Sequence, residues 1–246
     1  MFISHTNSTN DYLKQHPDCD RVWTTWQSAG RGQAGNSWES EPGKNVLMSV
    51  RLKQPAVPLQ QAFRLQMAVS LAVRDVVARL LPDQQVTVKW PNDIYVGKGK
   101  ICGILIESSV AAGQISEAIV GIGLNINQTT WQSPAPNPVS VKQLSGNEYA
   151  LPPIYEALCD SISEKLLLLG QPARLKEQYL AVLYRFGEKA LYARREVSLT
   201  PSRILVGETP NAFEATITDV TDQGELVLEA DNERMTFHFK QIQFVI

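Results

Sequence analysis

Cysteine and histidine are scarce in this chain, and there is no surplus of positive charge. Its three cysteines, Cys19, Cys102 and Cys159, are spread over 246 residues. They are odd in number and form no C-x-x-C pair, which argues against a disulfide framework and against a zinc site. A reducing, cytoplasmic compartment is the expectation. The formal net charge is -2, so neither nucleic acid nor an anionic membrane surface is expected as a partner. Long apolar runs are also missing. Glu107 and Glu117 interrupt the longest, and the opening FISHTNSTNDYLKQH lacks the basic flank and apolar stretch of a leader. The three histidines, His5, His16 and His238, stand in no G-x-S-x-G context, which counts against a Ser-His-Asp hydrolase. What remains is ordinary globular composition, 43% hydrophobic and 20% charged, enough for a sizeable core and one satellite domain.

The patterning divides the chain into segments. VWTTW (22–26) and NVLMSVRL (45–52) read as strands. Between Gln60 and Leu81 apolar residues recur at three-and-four spacing, which predicts a buried helix that Pro82 stops. VTVKW, a turn around PNDIYVGKGK, ICGILIES, a turn at Ala112-Gly113 and AIVGIGLNI read as neighbouring strands, antiparallel because the turns are short. Gln128 to Gly146 is rich in Pro, Ser and Asn and long for a connection, a candidate lid. Helices are expected over 153–169 and 173–185. From about Arg195 short alternating segments follow, punctuated at Gly207-Glu208, Asp222-Gln223-Gly224 and Asp231-Asn232, the pattern of a small antiparallel barrel. The expectation is therefore an α+β fold. Residues 1–190 would hold a central mixed, largely antiparallel sheet flanked by helices, and residues 191–246 a small barrel.

Three clusters carry chemistry. SAGRGQAGNSW (28–38) contains G-x-G-x-x-G at Gly30, Gly32 and Gly35. A dinucleotide fingerprint needs a helix opening at the third glycine, but Pro42 and Gly43 break one before two turns, and no Walker pattern occurs. By itself the segment reads as a surface loop, although Arg31 between two glycines suits an anion clamp and Trp38 is costly to leave mobile. KWPNDIYVGKGKICGILIE (89–107) can be a hairpin with a basic turn, as Lys98 suggests. Yet Lys100 opens an apolar strand, where a partly desolvated ammonium would act strongly on an anion. GIGLNIN (121–127) taken alone needs only close packing of a strand.

In this order, the three blocks resemble the Gly-Arg-Gly-Arg-x-Gly-x-x-Trp loop, the Lys-Trp-Pro-Asn-Asp…Lys-x-x-Gly-Ile-Leu-x-Glu block and the Gly-x-Gly-x-Asn strand of the biotin protein ligases. Asn7-Ser8-Thr9-Asn10 is similar to that family's Ser-Thr-Asn segment. The resemblance spans nearly the whole chain. It implies a catalytic domain like that of class II aminoacyl-tRNA synthetases, an SH3-like C-terminal barrel, and the two-step chemistry of those ligases. Biotin and MgATP give biotinyl-5'-adenylate, and the biotinyl group then passes to a lysine of a biotin carboxyl carrier domain. The resemblance assigns Arg31, Lys100 and Asp93 to catalysis. It assigns Ser8, Thr9, Asn10, Gln27, Gly30, Arg31, Gly32, Trp38, Lys100 and Gly103 to biotin, and Arg31, Gln33, Trp38, Asn92, Lys100, Asn125 and Trp131 to ATP. Asp93 and Asn125 would face Mg²⁺. Gly103 would leave room for the ureido ring, Trp38 would wall the apolar tail, and Asp93 is a candidate to orient the acceptor amine.

Two departures follow from the same comparison. The loop reads Gln33-Ala34-Gly35-Asn36 where many members have further basic residues, so the adenylate is expected to be held less tightly. The Ser-Thr-Asn segment begins almost at Met1, leaving no room for a DNA-binding winged helix, so a short-form ligase is expected, monomer or homodimer, rather than a repressor. A lipoate or octanoate ligase or transferase of the same fold is the nearest rival.

Overall fold

The computed structural model describes residues 1–133, 136–200 and 203–245, with side chains described for all of these except Ala34, 196–200 and 203–211. The order of elements begins α1 (Thr9–Gln15), β1 (Arg21–Thr24), β2 (Val46–Lys53) and α2 (Phe63–Leu80). It continues β3 (Val86–Lys89), β4 (Asp93–Val96), β5 (Gly99–Ala111), β6 (Gln114–Leu124), α3 (Val141–Ser145), α4 (Leu151–Leu166) and α5 (Pro172–Ala181). The last five strands are β7 (Lys189–Thr200), β8 (Arg203–Val220), β9 (Leu226–Ala230), β10 (Glu233–Phe237) and β11 (Ile242–Phe244). No helix among the described residues is long and apolar enough to cross a membrane.

Six strands form one sheet in the order β1-β2-β6-β5-β4-β3. Each adjacent pair is antiparallel, so the expected mixed character is corrected: short turns fix that direction from β3 through β6, and β2 then pairs antiparallel with both β6 and β1. The expected single turn over PNDIYVGKGK is corrected too. Asp93–Val96 forms a strand of its own between a corner at the cis Trp90-Pro91 bond and a tight turn at Gly97. Apolar Ile94, Tyr95 and Val96 are buried there, and that burial draws the segment into the sheet. Ala112 and Gly113, at φ 50° and 74°, join β5 to β6 with the left-handed pair that matches hairpin twist.

Helix α2 lies against this sheet and α4, buried from Leu65 to Val73 and again at Val76 and Val77. Val46, Met48, Ile94, Ile104, Val120 and Ile122 meet it from the strands, and Tyr155, Leu158 and Ile162 from α4. The long connection after β6 is partly helical. Ser140 and Gln143 exchange the two bonds of a capping box at α3, and Gly146 closes it at φ 76°. Pro134 and Ala135 of that connection lie outside the described residues.

The C-terminal strands form a five-stranded antiparallel sheet in the order β10-β9-β8-β7-β11. Among the described residues no pairing joins β10 to β11, so the closure expected of a barrel is not seen. Gly207-Glu208 is not a turn: β8 runs straight through it, paired with Arg195 and Glu196 of β7. The sheet shares the main core, with Tyr192, Ile217, Leu228, Phe237, Ile242 and Phe244 in one cluster with the residues of α2.

Candidate active site

The sheet supplies a ruler. Along β6 the same face carries Gly121, Gly123 and then Asn125 just beyond its end, as period-two geometry requires. A Cβ on Gly121 would lie 2.4 Å from Asn10 Oδ1, and one on Gly123 would lie 2.4 Å from Trp38 Cε2. Across the strands Gly123 pairs Gly103, Gly103 pairs Asp93, and Asp93 pairs Lys89. Directly opposed residues share a face. The two series meet beneath a cavity of about 820 Å³.

At one end is α1, capped by Ser8, whose Oγ accepts from Asp11 N. Thr9 donates to Gln27 Oε1 from its N at 2.7 Å and its Oγ1 at 3.1 Å. Asn10 Oδ1 accepts from Ser49 Oγ at 2.6 Å, and its Nδ2 donates to Glu107 at 2.8 Å. Ser8, Thr9, Asn10 and Gln27 all line the cavity. These four lining side chains are polar and uncharged, and Thr9, Asn10 and Gln27 are tied together with Ser49 by hydrogen bonds.

The glycine-rich segment folds back on itself around a 3-10 turn at Gln33–Gly35, with no helix after it. Trp38 N donates to Gly30 O at 2.8 Å, and a Cβ on Gly30 would lie 2.6 Å from Trp38 O. Gly30 is thus used for close backbone approach and does not line the cavity, whereas Gly32 and Gln33 do. Trp38 lies flat over the glycine pair, with its Cζ3 2.7 Å from a Cβ built on Gly103. Its Nε1, Gln33 Oε1 and Asn125 Oδ1 are buried without a hydrogen-bond partner, three orphaned polar atoms on residues that line the cavity.

Charge is distributed unevenly. Arg31 lines the cavity, but its guanidinium grips Glu107 through Nη1 at 3.0 Å and Nη2 at 2.8 Å, and Asp11 at 2.7 Å. Burial opposes ionisation of Glu107, but bonds from Arg31, Lys14 and Asn10 outweigh it and hold its pKa at about 2. Lys100 Nζ lies 2.7 Å from Asp93 Oδ1 and 5.6 Å from the centre of the Trp38 ring. Lys89, also on the wall, is pushed down to about 8 by burial. Arg31 and Lys100 therefore share one cavity, with Arg31 already bound to carboxylates and Lys100 over the row of Gly103 and Asp93.

The remaining predicted residues are also placed here. Asn92 donates to Ile104 O at 2.7 Å, pinning the corner to β5. Asn125 Nδ2 donates to Val139 O at 3.1 Å. Glu39 accepts from the backbone of Gln132 and Ser133 at 2.8 and 2.7 Å, which brings Trp131 to the cavity. Sequence reasoning missed Lys89, Tyr95, Arg195, Phe239, Lys240, Gln243 and Phe244, which complete the wall. Only the aromatic and basic alternation of FHFKQIQF hinted at the C-terminal set.

A family model matches residues 2–125, a span that holds the first two clusters and the third as far as Asn125. The chain belongs to the biotin/lipoate A/B protein ligase family. A biotin--[acetyl-CoA-carboxylase] ligase of Mycobacterium tuberculosis is 30% identical over 235 residues, covering 92% of this chain and 82% of that one. The bifunctional ligase/repressor BirA of Bacillus spizizenii is 34% identical over 128 residues, 51% of this chain and 39% of the relative. The chain thus spans about two fifths of that longer protein. Among solved structures, the biotin protein ligase of Aquifex aeolicus in complex with biotin and ATP superposes with a TM-score of 0.77 at 18% identity, covering 99% of this chain and 97% of that one. The α+β fold with antiparallel sheets is that of this ligase family.

Proposed function

We propose that this chain is an ATP-dependent biotin–protein ligase. Biotin's carboxylate attacks the α-phosphorus of ATP, pyrophosphate leaves, and the biotinyl group of the adenylate passes to a lysine of a biotin carboxyl carrier domain. The observation that carries this reading is the order along the ruler. An uncharged polar end at Thr9, Asn10 and Gln27 suits a ureido ring, Trp38 over two glycines suits an apolar tail, and Lys100 beside Asp93 marks the charged end. The relative from M. tuberculosis carries the corresponding name, and the A. aeolicus structure holds biotin and ATP.

Lys100 is the cation assigned to the reacting carboxylate and α-phosphate, where a preorganised charge acts without reorganisation. Arg31 fixes the wall of the biotin end through Glu107 and Asp11, and reaches the carboxylate only by leaving them. Asp93 and the unpartnered Asn125 Oδ1 would hold a magnesium ion arriving with the nucleotide. The described residues contain no group of three or more His, Cys, Asp or Glu able to hold a metal, which fits an ion bound mainly by phosphates and water. When bound, it neutralises phosphoryl charge. In the second step the carrier amine attacks the acyl carbon, the bond to phosphate oxygen breaks, and AMP departs. Asp93 orients the amine, and Trp131 stacks on adenine. Residues 1–190 form the catalytic domain, of the class II synthetase type, and residues 191–246 an SH3-like domain. The free thiols of Cys19, Cys102 and Cys159 fit a cytoplasmic enzyme.

ATP–pyrophosphate exchange measured with biotin, lipoate and each amino acid in turn tests substrate and half-reaction together. Exchange driven by biotin alone is expected, and exchange driven better by lipoate would replace this reading. Asp93→Ala should slow transfer from preformed adenylate. A variant that adenylated poorly but transferred at the normal rate would remove Asp93 from the second step.

A further inference from the structure

We propose that Lys89 is a phosphate contact, holding the β- and γ-phosphates of the nucleotide and the pyrophosphate they become. The proposal rests on the ligase reading and gives a role to a residue that heads the Lys-Trp-Pro-Asn-Asp block but received none from the sequence. Lys89 ends the row Gly123–Gly103–Asp93–Lys89, with Trp38 over the two glycines and Lys100 on Asp93. Each strand adds about 4.8 Å, so the row carries a ligand's path from the indole past Lys100 toward Lys89. The cations nearer the indole have acid partners: Arg31 has Glu107 and Asp11, and Lys100 has Asp93. Lys89 has none within ion-pair distance among the described residues. Its Nζ donates to Tyr95 Oη at 3.1 Å and lies over the rings of Tyr95 and Phe244, 4.6 and 5.2 Å from their centres.

A half-buried ammonium facing aromatic rings and a phenol carries a desolvation cost that the longer-range attraction of Asp93 offsets only in part. A structural lysine in a core would normally be paired or absent. Here the group lines an open cavity, so an arriving polyanion would supply the missing counter-charge. When the biotin carboxylate oxygen bonds to the α-phosphorus, the bond from that phosphorus to its bridging oxygen breaks. The electron pair stays on the departing pyrophosphate, whose added negative charge a fixed ammonium stabilises.

The test compares wild type with Lys89→Met and Lys89→Arg. Calorimetric titration with MgATP in the absence of biotin should show at least tenfold weaker binding for Lys89→Met, with Lys89→Arg within about threefold of wild type. The KM for pyrophosphate in biotin-dependent exchange should rise by a similar factor. Biotin affinity and transfer from preformed biotinyl-5'-adenylate should stay within twofold. ATP binding by Lys89→Met equal to wild type, or loss of biotin and ATP binding together with no rescue in Lys89→Arg, overturns the proposal and leaves Lys89 as a core residue. Weakened ATP binding in a protein that shows no biotin-dependent exchange supports the phosphate contact while sinking the ligase reading, so the two failures are distinct.

Discussion

Gly123 shows most directly how one atom controls the site. A Cβ there would stand 2.4 Å from Trp38 Cε2 and 2.6 Å from Nε1, so the indole would have to lift off the sheet into the cavity it lines. Gly123→Ala should cost about 1–3 kcal/mol of stability and weaken biotin binding at least tenfold, measured by thermal melting and by titration of intrinsic fluorescence. Unchanged biotin affinity would show that the ligand does not use this slot. Glu107 makes a second prediction at this scale. Its folded pKa, about 2, lies below the ordinary carboxylate value because Arg31, Lys14 and Asn10 bond its charged form. A depressed folded value stabilises the fold above the unfolded pKa, and that contribution drains away as pH falls toward about 2. Between pH 5 and about 2 the wild type should therefore lose more stability than Glu107→Gln in denaturant titrations. Parallel losses would mean the cluster at the rim contributes nothing.

Elements act mainly as positioners. The glycine-rich loop is held by its own backbone, with Gly32 N donating to Asn36 O and Trp38 N to Gly30 O. It presents a neutral carboxamide, Gln33, whose Oε1 is buried without a partner. A cation there would add a charge-assisted bond to the adenylate phosphate, so Gln33→Arg should slow dissociation of the bound intermediate several-fold in a chase experiment. Equal dissociation rates would show that the loop does not touch that phosphate. Glu39, one residue past Trp38, ties this loop to the long connection through Gln132 and Ser133. The loop and the lid candidate are thus linked by two hydrogen bonds. Most elements were legible in the sequence because their burial is periodic: α2 follows the three-and-four spacing, and β5 and β6 their apolar runs. Strand β4 was not, because four residues between a cis proline corner and a glycine turn read locally as part of a turn. Only pairing with β3 and β5 makes them a strand.

At the scale of the molecule, the two sheets share one hydrophobic core. Trp90 Nε1 donates to Gly224 O at 2.9 Å, and Phe63 packs against the same glycine. Tyr192, Ile217, Leu228 and Phe244 share the core of α2. Calorimetry should therefore show a single cooperative unfolding transition. Trp90→Phe, which removes that bond at about 1 kcal/mol, should lower its midpoint by about 2–4 °C without splitting it. Two separated transitions would mean the C-terminal sheet folds alone. The same junction brings Phe239, Gln243 and Phe244 to the cavity, residues that no motif marked, because their use depends on a contact made more than a hundred positions along the chain.

Ser8 to Asn10, Arg31 to Gln33 with Trp38, Lys100 with Asp93, and Asn125 all line the cavity, and the sequence by itself picked them out, in chain order, through the family resemblance of the short segments they stand in. What each one faces was not legible there. Arg31 reads as a free clamp, yet Asp11 and Glu107, 20 and 76 positions away, take its guanidinium. Lys89 opens the Lys-Trp-Pro-Asn-Asp block without an evident partner, and only the fold brings Phe244 of the second sheet against it. Local pattern selects residue types, whereas long-range packing decides which charges meet a partner and which are left facing the cavity.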